Sequence, residues 1–191
     1  MFYTGYSPYG GTYYYNGDIN NDGIGYDLMY IPKNDADINF IDVFDKNGNK
    51  TADAAQDRAD FWKFVAQDSY LSDNKGKYAE AYAARAPWVH KFDFRWAHDF
   101  TLNIGNTKHL LQLSADIENV GNLLNSNWGV PKNMSPVDGG RLLKVNKVVD
   151  GVPYFTLYRD ADGNAPTKTW EYNRDLNQAW RIQFGVKYYF N

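Results

Sequence analysis

The chain has 191 residues, a formal net charge of −3 and no cysteine. This length suits one ordinary domain, the mild acidity argues against a nucleic-acid interface, and the lack of cysteine excludes disulfides, cysteine nucleophiles and thiolate metal sites. Aromatic residues make up 17% of the sequence, a share that is typical of aromatic girdles and stacking surfaces.

The first residues resemble the end of a strand more than an export signal. Residues 1–6 alternate loosely, and the first eleven residues contain no basic segment, no apolar stretch and no small-residue cleavage site. We therefore expect the chain to be the C-terminal piece of a longer protein, beginning with a strand stub at 1–6.

A long polar segment, residues 7–87, begins with the Gly, Tyr and Asn composition of a loop. Within it, residues 54–71 place apolar side chains on one helical face, behind Asp53 as a suitable N-cap. A weaker helical pattern covers residues 77–84, and Pro87 then ends any helix and begins a strand. These features predict a long loop that carries short helices.

Alternation of apolar and polar residues predicts three strands. In residues 88–104 the even positions are mostly aromatic or apolar; His90 and His98 share that face and are expected toward the end where an aromatic belt meets lipid headgroups. Residues 109–119 continue the pattern after a short turn, and residues 178–190 repeat it with a heavily aromatic face. A tilted strand crosses a bilayer in about 9–11 residues, so all three runs are long enough.

Residues 88–119 should form one antiparallel hairpin that crosses the membrane twice. With Asn106-Thr107 at the turn centre Arg95 would face Glu118, whereas with Gly105-Asn106 at the centre it would face Asp116. The final strand should pair with residues 109–119 and turn its even residues toward lipid. The opposite face would then direct six charges into a lumen: Asp93, Arg95, Asp116, Glu118, Arg181 and Lys187.

Residues 120–177 predict a second long loop with a small hairpin inside it. Residues 145–149 and 152–158 flank Asp150-Gly151, a strong hairpin turn. Pro153 either places the second arm at a sheet edge or shifts the start of that arm. Long and short connections thus alternate, as in outer-membrane barrels. The predicted fold class is all-β: an antiparallel meander forming the C-terminal strands of a transmembrane β-barrel, with long extracellular loops that carry short helices.

Four segments carry a resemblance to a known protein family: RAPWVHKFDFRWAHDF, LSADIENVGNLLNSNWGVPK, WRIQFGVKYYFN and GDINNDGIGYDLMYIPKN. The first three resemble the C-terminal part of TonB-dependent outer-membrane receptors, in the group that has an N-terminal carboxypeptidase-regulatory-like domain and is related to SusC-like and Oar-like receptors. The fourth resembles a recurring loop segment of those receptors. The resemblance covers nearly the whole chain, and NVGNLLNSNWG is its most specific part.

The resemblance implies a large barrel with a plug domain, located in the cell outer membrane and importing a nutrient ligand. The implied partners are outer-membrane lipid, the rest of the receptor barrel and plug, TonB acting through a missing N-terminal part, and a surface lipoprotein; nucleic acid is not among them. This piece alone would not transport. The residues also allow an alternative, a soluble extracellular β-rich module that binds a ligand on an aromatic surface.

Residues 18–23 match the first half of a calcium-binding loop, D-x-[DN]-x-[DN]-G. The second half of the motif fails, because its twelfth position is Met29 and not Glu. A different loop closure could supply another carboxylate, which makes calcium the one candidate cofactor. The predicted ligands are Asp18, Asn20, Asp22 and Asp27. The alternative is an Asx-rich surface turn, and turns are also the better interpretation of the acidic stretches at 45–49 and 160–164.

Aromatic residues outside the strands could stack on sugars or peptides. The predicted ligand-binding residues are Tyr13, Tyr14, Tyr15 and Trp128, with packing among loops as the alternative. For catalysis the sequence offers no G-x-S-x-G, no Gly-rich phosphate loop and no H-E-x-x-H. We therefore predict no catalytic residue and no enzymatic activity.

Overall fold

Strands predominate in this protein and its helices are short. The computed structural model describes residues 1–135 and 137–190. The strands are β1 (Phe2–Tyr6), β2 (Gly10–Gly11), β3 (Tyr14–Asn16), β4 (Tyr30–Ile31), β5 (Val43–Phe44), β6 (Lys50–Ala52), β7 (Lys77–Tyr78), β8 (Ala84–Arg85), β9 (Val89–Ile104), β10 (Thr107–Glu118), β11 (Lys132–Met134), β12 (Arg141–Val149), β13 (Val152–Leu157), β14 (Trp170–Tyr172) and β15 (Arg181–Phe190). The helices are α1 (Ala54–Gln67), α2 (Ser69–Asp73), α3 (Val120–Leu124) and α4 (Val137–Gly140), and 3₁₀ turns lie at Asp35–Asp37 and Leu176–Gln178. This confirms the all-β prediction in its coarse form.

No helix within residues 1–135 and 137–190 is long and apolar enough to span a membrane.

The chain divides into two compact units, which we call the sheet unit and the core unit. The sheet unit consists of Met1–Pro8, Pro87–Lys132 and Tyr172–Asn191. The core unit consists of Tyr9–Ala86 and Asn133–Glu171. The two predicted loops are therefore not independent excursions. Most of each contributes to one folded unit, while the start of the second belongs to the sheet unit.

The sheet unit is built on four antiparallel strands in the order β1-β9-β10-β15. Arg95 pairs with Asp116, so the β9–β10 hairpin is confirmed and Gly105-Asn106 forms its turn centre. The final strand pairs with β10, with Arg181 opposite Glu118, as predicted. Among the described residues these strands make an open sheet with β1 and β15 at its edges, and no closed barrel is formed.

The largest sheet of the core unit has the order β13-β12-β3. Asp150 and Gly151 both adopt positive φ, 50° and 78°, which confirms the predicted hairpin turn. Pro153 lies on the edge strand β13, which is the first of its two predicted outcomes. However, β12 pairs with β3 in parallel, which corrects the purely antiparallel meander. Strands that are distant in the chain can pair in either direction, and the local pattern of each strand does not reveal which.

Two helix predictions need correction. The predicted helix at 54–71 is split, because Asp68 is extended and its Oδ1 accepts the Leu71 N–H at 2.7 Å, capping α2. Asp53 caps α1 as expected, accepting the N–H groups of Ala55 and Gln56. The helix predicted at 77–84 is wrong, because β7 pairs with β4. Hydrogen bonds to another strand outweigh a weak local helical preference in that segment.

The core unit holds a contiguous apolar core. Helix α1 supplies Phe61, Phe64 and Val65, each at most 1% exposed. The strands and connecting segments supply further buried side chains, among them Tyr13, Tyr15, Met29, Ile31, Phe40, Leu142, Leu143 and Phe155. This core explains why segments predicted to be loops are folded, since they bury enough apolar surface to offset the entropy of ordering them.

Candidate functional site

One face of the sheet unit is apolar and exposed to the surroundings. The pairing register aligns even residues of β9 and β15 with odd residues of β10, so that Ala115 stands between Trp96 and Phe184. Phe184 is 75% exposed, and β15 contains no buried residue. Six large side chains of β9 on this face are each at least 40% exposed: Phe92, Phe94, Trp96, Phe100, Leu102 and Ile104.

The opposite face of the same sheet is polar. The pairing register places all six predicted lumen charges on this polar face. Their contact with a lumen stays a prediction. Arg95 Nε lies 3.5 Å from Asp116 Oδ1, and Arg181 Nε donates to Glu118 Oε2 at 3.1 Å. Asp93 has a different role, because its Oδ1 accepts the Asn119 N–H at 2.7 Å and fixes the end of β10.

Three histidines lie on the apolar face, His90 and His98 on β9 and His109 on β10, and the two on β9 occupy different positions along the strand. His90 is at the β1 end, with its Nδ1 2.8 Å from the Tyr3 hydroxyl, where an aromatic belt was expected. His98 lies opposite Leu113, whose other neighbour is Val186. His98 therefore lies well inside β9, which runs on to Ile104, and its place at an aromatic belt stays a prediction. Its ring stacks on Trp96 with centroids 6.0 Å apart.

A cavity of about 480 Å³ lies at the start of β9, within the sheet unit. Its walls include Trp88, His90, Phe92, Trp128, Lys132 and Tyr172. Trp88 and Trp128 are 66% and 54% exposed. Lys132 Nζ lies 4.5 Å above the centroid of the Tyr172 ring, a cation–π contact. Trp128 thus lines a cavity, as its predicted ligand-binding role requires, but its neighbours there are not the predicted tyrosines.

Two buried asparagines hold the wall of this cavity that follows β10. Asn119 adopts a left-handed conformation with φ of 51°, and its Nδ2 donates to the carbonyls of Gly129 and Gln178 at 3.3 and 3.0 Å. Asn122 Nδ2 donates to the carbonyl of Trp128 at 3.1 Å. A Cβ atom at Gly129 would lie 2.0 Å from Asn119 Oδ1, so this position requires glycine. The NVGNLLNSNWG phrase is therefore a hydrogen-bonded wall.

A second cavity, of about 720 Å³, lies within the core unit. Its walls include Tyr9, Tyr14, Tyr26, Leu28, Tyr82 and Met134. The Arg141 guanidinium lies 5.3 and 5.5 Å from the ring centroids of Tyr14 and Tyr26. These rings offer apolar faces and hydroxyl groups in one place, which is the combination that stacking recognition of sugars or planar groups uses.

Tyr82 stands at this second cavity in a conformation that tyrosine seldom adopts. Its φ is 59°, its backbone N–H donates to Thr12 Oγ1 at 2.8 Å, and its side chain is 72% exposed. A Cβ atom at Gly10 would lie 1.9 Å from the Tyr82 carbonyl oxygen, so the close approach of these two segments depends on glycine. Backbone strain of this kind is concentrated at functional sites.

Tyr13 and Tyr15, predicted as ligand-binding residues, are core residues instead. They are 0% and 4% exposed, which removes them from any ligand at the surface. The Tyr13 hydroxyl donates to Asp68 Oδ2 at 2.7 Å, and the Tyr15 ring stacks on Phe155. Burial raises the pKa of Tyr15 to about 12 and that of Tyr13 further. Tyr14 lines the second cavity, whereas Tyr13 and Tyr15 on either side of it are buried in the core, because side chains alternate along a strand.

A buried ion pair ties α1 to β13 in the core unit. Asp57 is fully buried and accepts the Leu157 N–H at 2.9 Å and Arg159 Nη2 at 2.7 Å. Arg159 also reaches Asp60 at 3.1 Å. Partial burial works to raise the pKa of Asp60, but hydrogen bonds from Gln56 and Arg159 bring it below its ordinary value. These charges satisfy one another, which indicates a structural role.

The four predicted calcium ligands lie together in the acidic loop, but their side chains already form hydrogen bonds within that loop. Asp18 Oδ2 accepts the Gly23 N–H at 2.7 Å. The Asn20 amide donates to Asp22 Oδ2 and Asp27 Oδ1, at 3.1 and 3.0 Å. Among the described residues no group of three His, Cys, Asp or Glu side chains is arranged to hold a metal ion. The loop has the geometry of an Asx turn, and calcium binding stays a prediction.

Comparison with protein-family models, with curated proteins and with solved structures gave no match.

Several residues of the two cavities were not identified from the sequence. Tyr82 and Met134 converge from distant parts of the chain, and no local pattern marks them. The sequence did contain a pattern that could have identified Trp88, since this residue continues the alternation of the β9 face. Lys132 could also have been identified, because it comes shortly after the NVGNLLNSNWG phrase.

Proposed function

We propose that this chain forms part of a TonB-dependent outer-membrane receptor, in which β9, β10 and β15 cross the bilayer. The intact receptor would bind and import a nutrient ligand, and this part would not transport alone. One observation carries the proposal: a four-stranded sheet with one polar face and one apolar, exposed face. As proposed, the chain transports and recognises rather than catalyses.

The energetics of the apolar face favour lipid over water. Phe184, Val186 and Phe190 are 75%, 69% and 73% exposed. Removing a large apolar side chain fully from water contributes about 1.5–3 kcal/mol. A contiguous apolar surface of this kind marks an interaction or membrane site in folded proteins. Hydrocarbon covers such a face without requiring a shape-complementary partner.

The length of the strands agrees with a bilayer. At about 3.3 Å per residue, the ten residues of β15 extend about 33 Å. Barrel strands tilt by about 35–45°, so this length rises about 25 Å, the height of the apolar band of such barrels. The aromatic residues Tyr188 and Phe190 would then lie at one boundary, where girdles form.

The two edge strands of the sheet support the proposal that further strands of a receptor barrel pair with it. Among the described residues, strand β1 pairs with Val89 to Asp93 of β9 and with no other strand, and β15 is the last strand of the sheet order. Unpaired backbone groups are not tolerated against lipid. Further strands of the receptor barrel would therefore pair with both edges. The plug, TonB and a surface lipoprotein enter only through the family resemblance.

Recognition of the nutrient would fall to the core unit, at the cavity lined by Tyr14, Tyr26 and Tyr82. A sugar-bearing ligand would stack on these rings, as aromatic sites bind ligands with apolar faces and polar rims. Tyr26→Ala and Tyr82→Ala should weaken ligand binding at least tenfold. Tyr78→Ala, which removes a 68% exposed tyrosine outside this cavity, is the matched control. Equal binding by all three variants would contradict this assignment.

Spin labelling tests the membrane assignment directly, because the chain has no cysteine of its own. We expect a nitroxide at position 184 of the receptor in lipid bilayers to collide with oxygen and to be shielded from a water-soluble nickel chelate. A nitroxide at position 183, on the polar face, should show the reverse. Equal access of the chelate to both would refute the proposal and favour the soluble ligand-binding module.

A further inference from the structure

We propose that a third cavity, within the core unit, binds one sugar acid, with the carboxylate at Lys144 and hydroxyl groups at Asn146 and Thr156. This site goes beyond the function proposed above and does not depend on the membrane assignment. It is also separate from the tyrosine-lined cavity, which we assign to the nutrient.

The third cavity is small and its described walls are mainly polar. Its volume is about 350 Å³, near the lower end of the range for ligand pockets, about 300–1,000 Å³. This size suits a ligand of one sugar ring. Six of the residues that line it carry polar side chains that bear on the ligand: Asn16, Thr51, Lys144, Asn146, Thr156 and Arg159.

Strand pairing places three of these side chains in one row across the sheet. Lys144 of β12 pairs with Asn16 of β3 and with Thr156 of β13. Thr156 is only 6% exposed, although its neighbours Phe155 and Leu157 are the residues of β13 that join the core. Because side chains alternate along a strand, Thr156 is buried on the other face of the sheet, where this cavity lies.

A β-bulge directs Asn146 into the same place. The register shifts between Val145 and Lys147, so Asn146 is an extra residue of β12, and bulges of this kind re-aim side chains next to active sites. Its Nδ2 donates to the Lys144 carbonyl at 3.2 Å and to Thr156 Oγ1 at 2.9 Å. Both amide hydrogens are therefore used, and Asn146 Oδ1 is held in position as an acceptor.

The Thr156 hydroxyl complements this acceptor. It accepts the Asn146 amide, and no group in the described part of the chain accepts the hydroxyl hydrogen in return. Donor and acceptor thus stand side by side, which is the pairing that a ligand hydroxyl requires, because a hydroxyl both donates and accepts.

The charge of the walls favours an acid over a neutral sugar. Arg159 is already bound by Asp57 and Asp60, and its Nη1 donates to the Gly163 carbonyl at 3.3 Å. Lys144 forms no ion pair with any aspartate or glutamate of the chain, and the described walls contain none. Its ammonium group can therefore make a charge-assisted hydrogen bond to a ligand carboxylate.

One class of ligand uses all three groups. A simple inorganic anion would leave the Asn146 acceptor unused, and a neutral sugar would leave the Lys144 ammonium without a carboxylate. A sugar acid satisfies the ammonium, the acceptor and the hydroxyl donor together. The acceptor is fixed before the ligand arrives, so binding does not have to order it.

Calorimetric titration of the full chain with sodium glucuronate, glucose and sodium acetate tests the inference. We expect one glucuronate to bind at least tenfold more tightly than glucose or acetate. Lys144→Gln should reduce glucuronate affinity to that of glucose, and Lys144→Arg should preserve it. Thr156→Val, which keeps the shape but removes the donor, should weaken both sugars. Lys147→Gln removes the same charge from β12 outside the described walls and is the matched control.

Three results would overturn the inference. They are an affinity for acetate equal to that for glucuronate, which would indicate a simple anion site, a glucuronate affinity that survives Lys144→Gln, and no binding heat at millimolar glucuronate. Lys144 is exposed, so its replacement leaves the fold intact, as circular dichroism would verify. The nitroxide pair at positions 183 and 184 reports the membrane assignment separately. A failed titration with an intact nitroxide pattern therefore rejects the sugar-acid site alone.

Discussion

The sheet unit and the core unit use apolar side chains in opposite ways. In the core unit, Phe61 and Phe64 are at most 1% exposed and pack against strands. In the sheet unit, Phe184 and Phe190 extend from a single layer of strands and stay more than 70% exposed. A protein layer buries the first set. The second set has no such layer among the described residues of its unit, so its stabilisation must come from the surroundings. The same residue type is therefore buried by protein in one unit and exposed in the other.

The largest effect should come from the core of the core unit. Phe61→Ala leaves a cavity in a fully buried site and should destabilise the unit by about 3–5 kcal/mol. Urea unfolding followed by resistance of the unit to protease would measure the loss. Phe44→Ala, at a 56% exposed position of the same unit, should cost little. Similar losses for both variants would break the comparison, because the unit would then lack a protein-made core.

The next effect tests the exposed face. On the proposed membrane assignment, Phe184→Arg would place a charge in hydrocarbon near the midplane and should cost about 2–4 kcal/mol of stability. Gln183→Arg, on the polar face, should be tolerated. Folding of both variants can be followed by heat-modifiability on gels. Equal tolerance at the two positions would refute the proposed orientation of β15.

Calcium should stabilise the core unit if the acidic loop binds it. An extracellular site with a dissociation constant of about 0.1–1 mM would contribute about 1.5–3 kcal/mol at about 10 mM calcium. Calorimetry should show a binding heat that Asp22→Ala abolishes and Asp162→Ala, in a separate acidic turn, leaves intact. The Asn20 amide would have to turn its oxygen toward the ion. Absence of heat above dilution at millimolar calcium would end the hypothesis.

The smallest effect concerns the charged face of the sheet unit. The Arg95–Asp116 pair is more than a third exposed on both sides, so its coupling energy should be only about 0.2–1 kcal/mol. A double-mutant cycle with Arg95→Ala and Asp116→Ala would measure it. The same kind of cycle for Arg95 and Glu118 should give a smaller coupling energy, because Glu118 pairs with Arg181. A larger coupling to Glu118 would indicate a shifted register.

The alternation of apolar and polar residues predicted the sheet unit well, because this one repeated pattern defines its long strands. Alternation located β9, β10 and β15 and sorted their residues onto two faces, because a side chain in a strand must point to one side or the other. It left two turn centres open for the hairpin, and the structure selected Gly105-Asn106. Gly105 adopts a positive φ of 61° there, which glycine accepts without strain.

The core unit and both cavities were poorly predicted, because they depend on contacts between residues that are distant in the chain. Whether Tyr13, Tyr14 or Tyr15 reaches a ligand depends on which side of β3 meets the core, and this follows from the parallel pairing of β3 with β12. The split between α1 and α2 follows from Asp68, which caps α2 and accepts hydrogen bonds from Tyr13 and Thr169. Contacts between residues so far apart in the chain leave no local signal.

The sequence by itself determined the strands of the sheet unit, their two-sided character and the capping of α1 by Asp53, because each depends on side-chain direction or on neighbours within a few residues. Tertiary structure alone decided that two apparent loops form one cored unit, that Tyr13 and Tyr15 are interior, and that Trp88, Trp128 and Lys132 share a cavity. Those outcomes depend on distant segments excluding water together, and the free energy gained belongs to the assembled contact rather than to any one segment.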